Sequence, residues 1–341
     1  MKQSIIFKNK PVIRAWASVA GKKESEGPYG ACFDVTTDDD MFGGKNWEDA
    51  ESRMQIQAVS KVIEKSRLKN NEIGAVVAGD LLGQLMATAY GAGGGVGSNA
   101  YPFLGVYGAC STMGESMAVA SMIVSGGFMD NVVAMTSSHF ASAERQFRFP
   151  LEYGNQRPLS ATTTVTGSGA VIISSPENTL CEPRVQIEGV TIGKVEDYGV
   201  KDANNMGAAM APAAYSVISA NFKENNLKPD DYDLIVTGDL GLVGGRILKD
   251  MMRESGFDIE DRYMDCGIEI YDIKKQDAHS GGSGCGCSAI TLCGVILDKI
   301  LNGEYENVLF VPTGALMSTV GTHEGNSIPS IAHAIMLKGV R

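Results

Sequence analysis

The sequence predicts an α/β protein made of two similar halves packed into one body, and three observations carry that prediction. First, LKNNEIGAVVAGDL (68–81) and LKPDDYDLIVTGDL (227–240) align without a gap and match at six of fourteen positions, from Leu68/Leu227 and Lys69/Lys228 to Gly79/Gly238, Asp80/Asp239 and Leu81/Leu240. Second, 108–137 has a counterpart in 281–314, where Asn131-Val132 falls on Asn307-Val308. The two offsets, 159 and 176 residues, bracket half of the 341-residue chain, so a helix, strand and elbow unit is used twice. Third, FLGVYGACSTMGESMAVASMIVSGG (103–127) reads as a strand turning sharply into a helix with Cys110 at the turn. A pocket is expected where the two elbows meet, with the halves at 1–175 and 176–341, divided near Ser174 to Glu177.

The elements follow in order. Residues 1–45 mix short apolar runs with turn residues and the acidic stretch Thr36 to Asp40, read as early strands and a surface loop. Asn46 caps a helix over about 47–66, because Met54, Ala58, Val59, Val62 and Ile63 recur at helical spacing on one face. Ile73 to Ala78 is a buried strand closed by Gly79-Asp80. The stretch 81–100 is read as a loop; its GAGGGVG (91–97) is no phosphate cradle, since no Gly-Lys-Ser/Thr follows. After the elbow and its helix come a strand from Asn131 to Thr136, a polar and basic loop over 137–160, and a Thr/Val-rich strand over 162–174.

Composition sets the outer bounds. With 44% hydrophobic and 20% charged residues the chain is an ordinary globular protein, and a net charge of −11 without any Lys/Arg run excludes nucleic acid as a general partner. Apolar runs at the N-terminus are only two or three residues long, so no signal peptide is read there. No apolar run approaches the ~20 residues that span a bilayer, which leaves only a peripheral membrane role. Seven cysteines without framework spacing fit a reducing compartment.

Cys110 carries the chemistry. Gly108-Ala109 bends the backbone, Ser111 or Thr112 caps the helix, and a thiol at a helix start is expected to have a lowered pKa. The same geometry binds anions without chemistry, and a small thiol packed at a tight turn is the plain structural reading.

Two related halves with Cys at the first elbow resemble the thiolase and ketoacyl-synthase superfamily across essentially the whole chain, which implies a thiolase-like duplicated fold in a layered αβαβα body. Within it, ACFDVTTDDD, YPFLGVYGACSTMGES, RFPLEYGNQRP and AHSGGSGCGC look most like the stage V sporulation protein AD family. That resemblance implies a binding protein for dipicolinic acid (pyridine-2,6-dicarboxylate), free or as its calcium chelate, that serves uptake into the developing spore. It further implies a protein made in the forespore cytoplasm, not secreted, peripheral at the inner spore membrane beside the other stage V sporulation A proteins. A homodimer through the strand 131–136 is expected.

Condensing enzymes of the superfamily pair the Cys with two polar partners and a glycine-rich oxyanion loop. At the first partner's position this chain has Asp239, which when ionised opposes a thiolate; the repeat also places Asp80 there, so both read equally as turn-forming aspartates. The second partner resembles His279 in Ala278-His279-Ser280-Gly281-Gly282, at the lip of the second elbow, although a lone His after a strand is ordinarily a loop residue. Where ketoacyl synthases carry Asn-Ser-Phe-Gly-Phe-Gly-Gly, this chain reads Asn326-Ser327-Ile328-Pro329-Ser330-Ile331-Ala332, with every glycine gone.

Two functions stay open. One is a non-enzymatic dipicolinate site using Cys110, Ser111, Ser283 and His279, with His139 or Arg148 (or Arg145 or Arg157) answering a carboxylate. The other is an acyltransferase acting on acyl thioesters with Cys110 as nucleophile and His279 as acid/base, Asp239 beside them. Neither a metal nor a cofactor is expected: Cys285 and Cys287 read as small residues at a packed helix start, no calcium-loop motif is present, and His333 reads as core.

Overall fold

The computed structural model describes residues 2–92, 101–147, 157–178 and 184–341, without the side chains of 145–147, Thr319 and His323. The duplication is visible element by element. The helix Trp47–Ser66 (α1) is capped by the Asn46 side chain, which accepts from Asp49 N at 2.9 Å, and ends on left-handed Arg67. At an offset of 159 residues Met206–Asn225 is capped by Asn205, accepting from Ala208 N at 3.4 Å, and ends on left-handed Asn226. Each helix leads into one 3-10 turn held by an acid reaching back, Lys69 N to Glu72 Oε2 (2.8 Å) and Lys228 N to Asp231 Oδ2 (2.7 Å).

The strands of the first half are Val12–Ala20 (β1), Ala75–Gly79 (β2), Phe103–Gly105 (β3), Asn131–Ser138 (β4) and Gly167–Ser174 (β5). Those of the second are Arg184–Thr191 (β6), Leu234–Thr237 (β7), Tyr263–Asp265 (β8), Asn307–Val311 (β9) and Ala334–Val340 (β10). They form one sheet in the order β3-β2-β4-β5-β1-β6-β10-β9-β7-β8, the same sequence of roles read outward from the middle on both sides. The halves meet at β1 and β6, where Val12 pairs with Gln186 and Ile13 with Val185.

Alternation along the strands builds the layers. In β2, Val76 and Ala78 face α1 with Met54 and Val62, whereas Ala75 and Val77 face inward. In β9, Leu309 and Val311 face outward with Phe222, Ile235 and Met252, whereas Val308 and Phe310 face inward. Burial on both faces is why these strands are continuous apolar runs. The inward residues of both halves share one cluster with Met113 and Met117 of Thr112–Ser125 (α2) and with Ile290 and Leu292 of the helix 285–302. The outer layer of the second half is Met206–Asn225 and Gly241–Glu254, giving five layers, αβαβα. Cys285–Asn302 alone among the described helices is long and apolar enough to cross a membrane, but 78% of it is buried, so the protein's own core accounts for its hydropathy.

Four readings of the sequence are corrected. The stretch 81–92 contains the short helix Met86–Tyr90, while most of GAGGGVG lies outside the described residues. The loop 137–160 contains the helix Phe140–Phe147. The strand 162–174 is two strands, because Thr163–Thr164 leaves the main sheet to pair in parallel with Gly282–Ser283. Finally, the strand placed at a dimer seam, 131–136, lies inside β4, which is fully buried and bonded on both sides, to β2 and β5; it has no free edge to offer a second copy.

Candidate functional site

The elbow turns through Ala109, which stands in the left-handed region at φ +50°, a conformation that costs a non-glycine residue roughly 1–2 kcal/mol. Gly108 is needed for room instead: a Cβ there would lie 2.4 Å from Ser111 Oγ and 2.9 Å from Glu115 Oε2. Ser111 and Thr112 do not cap α2 as expected. Their hydroxyls turn back into the elbow, donating to Gly108 O (2.7 Å) and Ala109 O (2.6 Å).

Cys110 lines a cavity of about 40 Å³ that opens to solvent. Both halves contribute: Tyr107, Cys110, Glu144 and Thr164 from the first, Ser283, Gly284, Met206 and Met317 from the second. That volume holds roughly three waters, so a ring-sized ligand must lie partly in the opening. No Lys, Arg or His side chain lines it among the described residues.

The surroundings of Cys110 reverse the expected direction of its pKa. Burial, then the charge of Asp239, then Cys285 push the thiol well above the ordinary range; the Gly284 N–H, which would stabilise a thiolate, is outweighed. Asp239 is wholly buried and accepts from Gly284 N (2.9 Å) and Thr313 Oγ1 (3.0 Å), with its carboxyl facing the thiol. Burial raises it to about 7. A carboxylate that titrates near 7 is too weak a base to take a proton from a thiol raised well above 9, so Cys110 rests as the thiol. Iodoacetamide at pH 8 is accordingly expected to label exposed Cys32 at least about ten times faster than Cys110, read by peptide mass; Cys110 labelling first would show a thiolate there.

The other expected site residues are scattered. Ser283 lines the cavity, whereas buried Ser111 is committed to Gly108 O. His279 lies outside the lining: its Nδ1 bonds Pro158 O at 2.9 Å and its Nε2 stands 3.2 Å from Asp277. His139 is buried elsewhere, stacked on Phe140, its Nε2 against Asp40 O (2.7 Å), and burial lowers its pKa. The Arg145 side chain and all of Arg148 lie outside the described residues. Asp80, the repeat partner of Asp239, is likewise buried and accepts from Leu82 N and Thr88 N, both at 2.7 Å, so its role is to close a turn. Cys285 and Cys287 are buried at their helix start, donating to Ser137 O (2.8 Å) and Gly238 O (3.4 Å), and His333 is buried as read. Nothing in the sequence points to Glu144 or Tyr107 at the cavity, because their place in its lining depends on tertiary packing.

A family model described as stage V sporulation protein AD matches residues 1–338. The stage V sporulation protein AD of Bacillus subtilis (strain 168) is 43% identical over 337 residues, covering 99% of this chain and 97% of its own length. Among solved structures, 3-oxoacyl-[acyl-carrier-protein] synthase III from Aquifex aeolicus VF5 aligns with a TM-score of 0.55 at 12% identity, over 96% of this chain and 99% of that one. Cerulenin-bound OleA from Xanthomonas campestris gives 0.59 at 14% identity, over 97% and 98%. A His-to-Asp variant of the same OleA gives 0.61 at 12% identity, over 98% and 100%. At such identities the likeness is one of fold, and that fold is thiolase-like.

Proposed function

The chain belongs to the stage V sporulation protein AD family, and from that premise we propose that it is a non-catalytic dipicolinate-binding protein serving uptake of that dicarboxylate into the developing spore. The observation that carries the reading is the pairing of a retained cavity with a disarmed nucleophile: Cys110 faces the cavity, but its neighbour is buried Asp239, not a base able to take its proton. Tyr107, Met206 and Met317 provide a wall for the pyridine ring at the mouth, and Ser283 and Thr164 hydroxyls can donate to carboxylate oxygens. Glu144 in the lining favours a ligand that brings its own calcium over the bare dianion. The same proposal places the protein peripherally at the inner spore membrane with the other stage V sporulation A proteins, as a homodimer whose seam is now sought at the edge strand β3, bonded on its described side only to β2.

Isothermal titration with dipicolinate, with and without calcium, tests it. Binding is expected, tighter at pH 6 than at pH 8, because Asp239, which titrates at about 7, loses its repulsive charge as the pH falls. No heat at either pH, in either form, would end the proposal. The competing acyltransferase reading is favoured by Cys110 facing the cavity, and a Cys110 adduct that turns over on incubation with acyl-CoA would establish it.

A further inference from the structure

We propose that His279 is a positioning residue: its bond to the Pro158 carbonyl clamps the segment 157–164 of the first half against 280–283 of the second, and so sets the cavity wall that carries Thr164 and Ser283. Its effect on a ligand rests on the binding function put forward above; the clamp itself does not. The wall is one short strand from each half. Ser280 N donates to Ala161 O (3.0 Å), Thr163 N to Gly281 O (2.8 Å) and Val165 N to Ser283 O (2.8 Å), and the register sets Ser283 beside Thr164, both in the cavity lining. Strands of two residues each are too short to hold a place by their own pairing, so what fixes their ends decides where the wall stands. At the outer end Pro158 O accepts twice, from Ala161 N (3.0 Å) in its own segment and from His279 Nδ1 (2.9 Å) across the halves. A carbonyl only accepts, so Nδ1 carries the hydrogen. Arg157 closes the same segment on itself, its Nη1 donating to Thr162 O at 3.2 Å.

The backbone around His279 carries the same reading. His279 stands in the left-handed region at φ +52°, and Asp277, two residues earlier, at φ +50°. Glycine adopts that conformation more readily, and a residue with a Cβ persists there only where its surroundings over-determine it. Those surroundings are visible on both sides. Ala278 is wholly buried, with its N–H bonded to Ile273 O at 3.1 Å. Ser280, also buried, closes the start of the helix Gly241–Glu254: its carbonyl accepts from Leu242 N (2.9 Å) and its Oγ from Val243 N (3.4 Å). The segment is thus fixed to the second half on either side of His279, and the imidazole reaches from it to the first half. Both ring nitrogens are committed, Nδ1 to Pro158 O and Nε2 at 3.2 Å from Asp277 Oδ1. The residue that the sequence offered as an acid/base therefore acts on the cavity through the backbone of its wall.

The full chain and its His279→Gly, His279→Ala and His279→Asn variants are compared by amide hydrogen exchange and by titration with dipicolinate. Glycine and alanine both remove the donor, glycine without strain at this φ; asparagine tolerates the left-handed region and carries an amide N–H in about the place of Nδ1. His279→Gly is expected to speed exchange about five-fold or more in 159–166 and 278–284, to leave exchange in the helix Met206–Asn225 unchanged, and to weaken dipicolinate binding about three- to five-fold. His279→Asn should return both readings to near wild type, and His279→Ala carries the test if His279→Gly melts early. Unchanged exchange in the two segments, equal loosening of the control helix, unchanged affinity where the wild type binds, or an asparagine variant as loose as the glycine one overturns the clamp. Faster exchange confined to the two segments, in a protein whose wild type binds no dipicolinate, leaves the clamp standing and removes the ligand proposed above.

Discussion

Replacing Gly314 by alanine is expected to lower stability by about 2–3 kcal/mol and to distort the cavity wall next to it, at Ala315. Gly314 lies in the strand Thr313–Ala315, against the elbow of the other half. A Cβ at this position would stand 2.1 Å from Gly108 O, 3.0 Å from Ser111 N and 3.2 Å from Cys110 N. These are backbone atoms of a turn already strained at Ala109, so no rotamer change makes room. The strand has to move away from the elbow, and its neighbours go with it: Thr313 loses its 3.0 Å bond to Asp239, and Ala315 leaves the cavity wall. Gly321→Ala is the control, since a Cβ there would find its nearest atom at 3.5 Å within a short helix that alanine favours. Urea unfolding of both variants measures the difference; a Gly314→Ala midpoint equal to that of Gly321→Ala would mean that the strand Thr313–Ala315 and the Cys110 elbow are not in fixed contact.

Much of the architecture was legible because it is encoded locally. The spacing of Met54, Ala58 and Val62 and the Asn46 cap define α1 without reference to the rest of the chain, and the 159-residue repeat carries helix, 3-10 turn and strand in register. What was not legible depends on residues distant in sequence. Phe140–Phe147 looks like polar loop, yet Ser142 is buried because Glu51 on α1 accepts its hydroxyl. The break before Gly167 arises because Thr163 and Thr164 find a better partner in the other half. Cys110 is the sharpest case: a helix start argues for a thiolate, whereas burial and Asp239 decide for the thiol. The motif around His279 led toward the cavity, but the Pro158 carbonyl, which no pattern reveals, holds the ring away from it.

Stability is expected to fall as the pH rises from about 6.5 to 8.5, and Glu51 is the residue to hold responsible. Burial raises Glu51 to about 8, and Glu24 and Asp239 each to about 7, against roughly 4 in an unfolded chain. The folded state therefore holds more protons than the unfolded state up to those values, and its stability is lost as the pH climbs through them, by roughly 1.4 kcal/mol per unit for each group in its window. Below about 6.5 the trend is opposed by His139 and His333, buried neutral with lowered pKa, and toward 8.5 the buried cysteines, held as thiols in the folded state, add to it, so the difference between wild type and Glu51→Gln isolates Glu51. Hydrogen bonding works against burial here: Ser142 and Ser137, when they donate to Glu51, favour its charged form, and burial outweighs them. Ser142 Oγ lies 2.6 Å from Glu51 Oε2 and 3.0 Å from His139 O, and its single proton serves only one of them. With that proton on His139 O, Glu51 must bring its own, while Oε1 accepts from Ser137 at 2.8 Å and Ser137 accepts from Gln55 at 2.6 Å. Glu51→Gln reproduces the neutral acid, its amide N–H donating where the carboxyl proton did. It should match wild type at pH 6.5, exceed it at pH 8.5 and show a shallower slope, whereas Glu51→Leu, which strands Ser137 and Ser142, should be less stable at both. Thermal unfolding across that range decides the matter: a flat wild-type profile, or Glu51→Gln below wild type at pH 8.5, would mean that Glu51 is ionised in the native protein and that its charge is balanced by a group this network does not contain.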